Sequence, residues 1–425
     1  MIKHILSFAV ALLLGCSSMA QSGFVKVTKD GQFSINGKAY YYAGTNFWYG
    51  PILGSQGRGG NRARLNKELD KLHAIGLNNL RIAIGADGNN DVKTRIKPTL
   101  QTSPGVYNDT ILDGLDYLLL QMKKRNMKAV LYMNNAWEWT GGYSQYLAWV
   151  KKENPPVPAT DGWPAYMDYV KQYVFNDSAK ALFANHVKFI VNRTNRYTKT
   201  KYTDDPTIMA WQISNEPRCF SNEGKAPFKA WLRNVSALIK SIDKKHLVTT
   251  GSEGEWGCEN DMQLNIDIHA DPNIDYLCIH LWPYNWSWVS KTTLQTDLGK
   301  AEENTKKYVE RHIAVAKKLK KPVVMEEYGY PRDGFSFSKQ ATTQSRDSYY
   351  KFVYDMVVAS KKKGDNFAGC NFWGWGGYAT PAHTFWEWGD DYCADPAQEE
   401  QGLNSVFATD ESTIKVIKNA VKQLK

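Results

Sequence analysis

Short apolar runs and longer amphipathic stretches alternate along most of the chain. Eight runs read as strands, at residues 40–46, 79–84, 128–133, 208–214, 247–251, 276–280, 322–326 and 367–372. They are rich in Val, Ile and aromatic residues and lack strict polar alternation, the pattern of parallel strands buried on both faces. Between and after them, residues 61–75, 110–126, 179–193, 228–244, 301–320, 343–363 and 412–424 carry apolar positions at helical spacing. The helical signal is weak between strands five and six. Ahead of strand one, Phe24-Val25-Lys26-Val27, Asp30-Gly31 and Gln32-Phe33-Ser34-Ile35 read as a β-hairpin. Eight strands, each followed by something helix-like, predict an α/β chain folded as a single (β/α)8 TIM barrel. No Gly/Ser or Pro linker and no internal repeat divides residues 24–425, so one domain is expected.

Two connections are longer than a barrel needs. Residues 136–176 follow strand three and carry Trp137, Trp139, Tyr143, Tyr146, Trp149, Trp163 and Tyr166. Residues 376–410 follow strand eight and carry Tyr378, Phe385, Trp386, Trp388 and Tyr392. Both leave the C-terminal ends of strands, the face where barrel active sites are built. Their rings either pack on one another as a small core or serve as platforms for sugar rings, and a mixture is expected.

The N-terminus differs from the rest. A short basic start, Met1 to His4, precedes ten mostly apolar residues from Ile5 to Leu14. About 20 residues are needed to span a bilayer, so this is a secretory signal rather than a membrane helix. Ser18-Met19-Ala20 favours cleavage before Gln21, giving a signal peptide at 1–20 and a catalytic domain at 21–425. Leu13-Leu14-Gly15-Cys16 also resembles a lipoprotein box, poorly because of Leu14, and would tether the protein to a membrane through Cys16. Either route exports the chain, to a secreted, periplasmic or outer-membrane location.

Composition narrows the class. Of 425 residues, 43% are hydrophobic and 23% charged, which excludes a disordered or fibrous chain. The net charge of +10 comes from short Lys groups such as Lys123-Lys124-Arg125 and Lys361-Lys362-Lys363, near predicted helix ends where cations suit the helix dipole. They read as solvated faces, and nucleic acid is not an expected partner of an exported chain. Beyond the signal lie Cys219, Cys258, Cys278, Cys370 and Cys393. Cys278 and Cys370 sit in strand runs as buried thiols; a bridge among the other three is open in an oxidising compartment. No CxxC pair or HExxH motif occurs, so no metal or cofactor is expected.

The chemistry concentrates at two strand ends. Trp211-Gln212-Ile213-Ser214-Asn215-Glu216-Pro217 is an apolar strand ending in a carboxylate, after which Pro217 turns the chain. Val323-Val324-Met325-Glu326-Glu327-Tyr328-Gly329 repeats the arrangement at strand seven. Carboxylates on strands four and seven can converge over the barrel axis. Glycosidic cleavage requires such a facing pair, one protonated and one ionised.

Asn215-Glu216-Pro217 and Glu327-Tyr328-Gly329 resemble glycoside hydrolase family five, a group of retaining (β/α)8 enzymes. Gly44-Thr45-Asn46-Phe47-Trp48, His280-Leu281-Trp282-Pro283 and Asn371-Phe372-Trp373-Gly374-Trp375 are similar to its endo-β-1,4-mannanase subfamily. The resemblance runs through residues 24–425. It implies Glu216 as acid/base and Glu327 as nucleophile, with Glu326 a decoy because adjacent strand residues face opposite ways. Asn215 matches the residue that bonds the sugar 2-hydroxyl, Arg81 the arginine that keeps the nucleophile ionised, and His280 a histidine near the acid/base. Trp282 stands where the broad family often has Tyr, and stacking is its expected role. Asn134 and Asn135 replace a strand-three His and would bond sugar hydroxyls. Trp373 matches the platform of the −1 subsite, with Trp375 its neighbour and Trp48 lining another negative subsite. These roles require a lowered pKa at Glu327 and a raised one at Glu216.

The expected activity is retaining endo-hydrolysis of internal β-1,4 bonds in mannan, glucomannan or galactomannan, by a monomer acting on a neutral polysaccharide. Rivals are a β-1,4-glucanase of the same fold, and an exo-acting mannosidase or mannobiohydrolase if an insertion closes one end of the cleft. A non-catalytic glycan-binding barrel is disfavoured because both carboxylates stand in matching contexts.

Overall fold

The computed structural model describes residues 23–425. The expected signal peptide, its expected cleavage site and Cys16 lie outside them. Eight parallel strands form the barrel: β1 Tyr42–Asn46, β2 Asn79–Ala83, β3 Lys128–Tyr132, β4 Ile208–Gln212, β5 Leu247–Thr249, β6 Leu277–Leu281, β7 Val323–Tyr328 and β8 Phe367–Phe372. They pair in the spatial order β5-β4-β3-β2-β1-β8-β7-β6. The seam between β5 and β6 is stitched by Asp275 N donating to the Val248 carbonyl at 2.8 Å and Thr249 Oγ1 donating to the Tyr276 carbonyl at 3.0 Å. Every residue of every barrel strand is buried, which explains the absence of polar alternation.

The helices on the outside are α1 Arg62–Ile75, α2 Asp109–Lys124, α3 Asp177–Val191, α4 Lys225–Ile242, α5 Met262–His269, α6 Leu298–Leu319, α7 Gln344–Lys363 and α8 Glu411–Leu424. Their starts are set by local chemistry. Asn61, Asn108, Asn176 and Asp261 each accept a backbone N–H of the first turn of α1, α2, α3 and α5. Gly76 closes α1 in the left-handed conformation, at φ 94°. Lys123 and Lys124 end α2 and Lys361 to Lys363 end α7, the dipole-complementing places expected of them. Helix α5 was invisible as periodicity because it is only eight residues long.

The hairpin Val25–Val27 with Phe33–Ile35 gains a third short strand, Lys38–Ala39. Its Val25 and Phe33 join Tyr42, Val130, Met209, Leu247, Tyr276, Val324 and Ala368 in one buried cluster that plugs the N-terminal end of the barrel. The opposite end carries the two insertions. All five cysteines among the described residues are free and buried, so no bridge joins Cys219, Cys258 and Cys393. No helix of the described residues is long and apolar enough to cross a membrane.

Candidate active site

Above the strand ends lies a cleft of about 470 Å³. Glu216 enters it just past β4, at a backbone φ of 46° that only a well-determined turn holds in a non-glycine residue. Its N–H donates to the Gly251 carbonyl at 2.9 Å. Gly251 itself has φ 84°, and a Cβ there would stand 1.8 Å from the Ser214 carbonyl. Only glycine lets β4 and β5 approach so closely beneath the carboxylate.

Glu327 comes from β7. The β6–β7 register slips between Ile279 and His280, so Met325 pairs with Ile279 and Glu327 with His280. Glu326 is the extra residue of this bulge, and the simple alternation expected of the pair does not hold. Both carboxylates turn inward at different depths. Glu326 is sealed below the cleft, taking hydrogen bonds from Gln212 Nε2 and, at 3.1 Å, from Tyr276 Oη. Glu327 faces the cleft. One oxygen each of Glu216 and Glu327 and a ring nitrogen of His280 all lie within 4.8 Å of one another.

Arg81, fully buried, holds this arrangement from below. Its Nη1 donates to Glu327, its Nη2 to Asn215 Oδ1 at 2.7 Å and its Nε to Gln212 Oε1 at 2.8 Å. His280 Nδ1 lies 2.8 Å from Glu216 Oε1. Stacking is the role expected of Trp282, and the ring lines the cleft. Its Nε1–H donates to Glu327 Oε2 at 3.2 Å, so the indole supplies the hydrogen bond a tyrosine would have given.

The other predicted residues separate by depth. Asn215 and Trp373 line the cleft. Asn134 and Asn135 are buried behind it: Asn135 Oδ1 accepts from Asn215 Nδ2 at 3.1 Å, and the Asn134 carbonyl accepts the Asn215 N–H at 2.8 Å. They brace Asn215 rather than face the cleft. Trp48, 1% exposed, donates to the Ala394 carbonyl and packs edgewise on Trp139, while Trp375 donates to Glu68. Both stand outside the cleft lining, and Trp48 backs it through Trp139.

Several lining residues were not singled out as site residues. Trp137 Nε1 donates to Glu216 and its ring meets Trp163 edgewise at 5.7 Å. Arg218 follows Pro217 directly and pairs with Glu253 at 3.4 Å. Trp256 and Trp286 stack at 5.0 Å. The mixture expected of the insertions is present in the first: Tyr143 and Tyr173 stack in a buried core, while Trp137, Trp139 and Trp163 line the cleft. In the second, no aromatic ring reaches the lining, which comes from Pro396, Gln398, Glu399, Glu400, Leu403 and Asn404. Composition could not reveal that polar stretch.

Electrostatics reverse the expected pKa order. Burial raises Glu216, but His280, the Trp137 N–H and Arg218 together bring its carboxyl below the usual range. Glu327 is raised, by burial and by repulsion from Glu216, against the pull of His280 and Arg81. His280 opposes burial through Glu327, Glu216 and Glu326, and rises to about 9. Glu216, His280 and Glu327 lie close enough to titrate as one unit. Glu216, His280 and Glu327 are also the one donor group among the described residues with the spacing to hold a metal ion, and Arg81 already supplies a cation to Glu327.

A family model described as GH family 5 β-mannosidase-like matches residues 22–425. The chain belongs to this glycoside hydrolase family. Mannan endo-1,4-β-mannosidase 7 of Arabidopsis thaliana is 32% identical over 374 residues, 85% of this chain and 79% of the relative. The crystal structure of a glycoside hydrolase family 5 mannosidase from Rhizomucor miehei superimposes with a TM-score of 0.86 at 30% identity, covering 95% of this chain and 97% of that one. A mutant of that mannosidase holds mannosyl-fructose (TM-score 0.85, 31% identity, 94% and 97% covered). The endo-1,4-β-mannanase of the same organism, at 24% identity and a TM-score of 0.69 over 95% and 99%, shares the fold. The (β/α)8 architecture and the glycoside hydrolase class read from the strand-end motifs are those of this family.

Proposed function

We propose that this family 5 glycoside hydrolase is an exported endo-β-1,4-mannanase that cleaves internal bonds with net retention. The carrying observation is the separation of the two carboxylates, within 4.8 Å at their nearest oxygens. A gap of about 5–5.5 Å lets one carboxylate attack directly, whereas an intervening water needs about 6.5–9.5 Å. Glu216 protonates the bridging oxygen as Glu327 attacks the anomeric carbon; the glycosyl–Glu327 ester is then hydrolysed by water deprotonated by Glu216.

The inverted pKa order fits this cycle. His280 Nδ1 lies 2.8 Å from Glu216 Oε1, close enough to hand over a proton. Moving it to Glu216 when sugar displaces water makes the acid and removes the repulsion that raised Glu327. Arg81 and the Trp282 N–H then hold Glu327 ionised. Mannan as substrate is supported by the Arabidopsis relative and by the mannosidase neighbours.

A second reading, exo-acting mannoside release, has its own support. Trp48, Trp139, Trp373 and Tyr392 form a nearly solvent-free wall on one side of the cleft. Product analysis on linear mannan separates the two. Mixed oligosaccharides from the first time point support endo action; mannose or mannobiose alone supports exo action; cleavage of carboxymethylcellulose and not mannan overturns both. Export belongs to the same proposal. Sequencing the mature N-terminus is expected to begin at Gln21, whereas a blocked chain beginning at Cys16 would mean a lipid anchor.

A further inference from the structure

A second concavity lies behind the first insertion, separate from the cleft. It is an open trough of about 830 Å³ and shares no lining residue with the cleft. Three segments line it. From the helix Gly142–Lys151 and its C-cap come Gln145, Ala148, Trp149 and Lys152, whose three- and four-residue spacing puts them on one face. The loop from Asn89 to Thr94, joined by Thr102, and the stretch from Glu153 to Thr160 supply the rest. Thr94 marks the partition between the two concavities. Its Oγ1 donates to Glu138 Oε2 at 2.8 Å, and the next residue, Trp139, lines the cleft.

The trough contains a fixed donor that the fold does not use. Gln145 is 9% exposed, and its Oε1 accepts Arg95 Nη1 at 2.7 Å. Arg95 is itself fully buried and pairs with Glu138 at 3.6 Å, so the amide is held on a rigid support. Gln145 Nε2 has no hydrogen-bond partner among the described residues and is left to the trough. Trp149 adds a part-exposed indole, set edgewise on Tyr146 at 5.1 Å and 76°. Asn89, Thr102, Asn154 and Thr160 add amides and hydroxyls. The charges around them cancel, Lys93 and Lys152 against Asp91 and Glu153. An ion finds no net field here. A neutral sugar finds an aromatic surface for its C–H faces and donors and acceptors for its hydroxyls. Resting on the mannan reading proposed above, we infer that this trough is a second glycan-binding site, which holds a neutral β-mannan chain outside the cleft. It docks the enzyme on the polymer and takes no part in bond cleavage.

The test compares insoluble linear mannan with soluble mannotetraose. Retention on insoluble mannan, read by depletion from solution with Glu327→Ala as the parent, is expected to fall at least fivefold when Trp149→Ala is added. In the active enzyme the same change should slow hydrolysis of insoluble mannan at least threefold and leave kcat/KM on mannotetraose within twofold. Trp149→Phe should restore both. Unchanged retention, or an equal loss on both substrates, overturns the inference. Hydrogen exchange in Glu327→Ala reads the unaltered trough, whether or not Trp149→Ala folds. Mannohexaose is expected to slow exchange at residues 89–94, which do not line the cleft; protection confined to the cleft loops refutes the site. A wild type retained on mannan through Trp149 that cleaves neither substrate refutes the hydrolytic reading alone.

Discussion

Each side chain of the proposed catalytic set is held by a partner of opposite polarity, so single substitutions separate their roles. Glu327→Ala is expected to lower turnover on the order of 10³-fold or more while oligosaccharide binding persists. Glu216→Ala loses about 10²–10⁴-fold, the usual worth of a positioned acid/base. Trp282→Phe keeps the ring and deletes only the N–H to Glu327. A hydrogen bond to a charged group is worth about 1.5–3 kcal/mol, so kcat/KM falls about 10- to 150-fold. Pure stacking would leave it within twofold. His280 gives a stability prediction with a definite sign. Its pKa rises from 6.5 unfolded to about 9 folded, among Glu216, Glu326, Glu327 and Arg81. Its contribution is complete below pH 6.5 and is lost as pH climbs through 9. Urea midpoints at pH 6.5 and 9 should differ in wild type, and less in His280→Asn.

Elements explain why some of this was legible and some was not. Strand ends were readable because an apolar run that stops at Glu-Pro or Glu-Tyr-Gly leaves its acid at the barrel mouth. The β7 bulge was not, since an inserted residue changes register without changing composition; that is why Glu326 turned inward beside Glu327. Asn134 and Asn135 looked like sugar ligands because polarity at a strand end is the same signal whether a group faces substrate or braces a neighbour. Trp137, Arg218 and the 396–404 lining depend on loop paths that carry no period. The hairpin plug is an element with a measurable worth. Phe33 is fully buried and meets Tyr276 edgewise at 5.2 Å. Phe33→Ala is expected to cost about 3–5 kcal/mol in urea denaturation while leaving KM unchanged, because the plug lies at the far end of the barrel from the cleft.

At the scale of the molecule, one barrel carries a buried, plugged end and a catalytic end walled unequally by two insertions. Its stability rests on packing rather than on cross-links. All five described thiols are buried, so none should react with a thiol reagent in the native protein and all five should titrate in denaturant without reductant. Fewer than five would mean a disulfide. The central claim is that Glu216 and Glu327 stand close enough for a double displacement on a β-mannoside. Proton NMR of the first products released from mannohexaose tests it most directly. The account predicts that the β-anomer appears first and mutarotates to the α form; initial release of the α-anomer would contradict it.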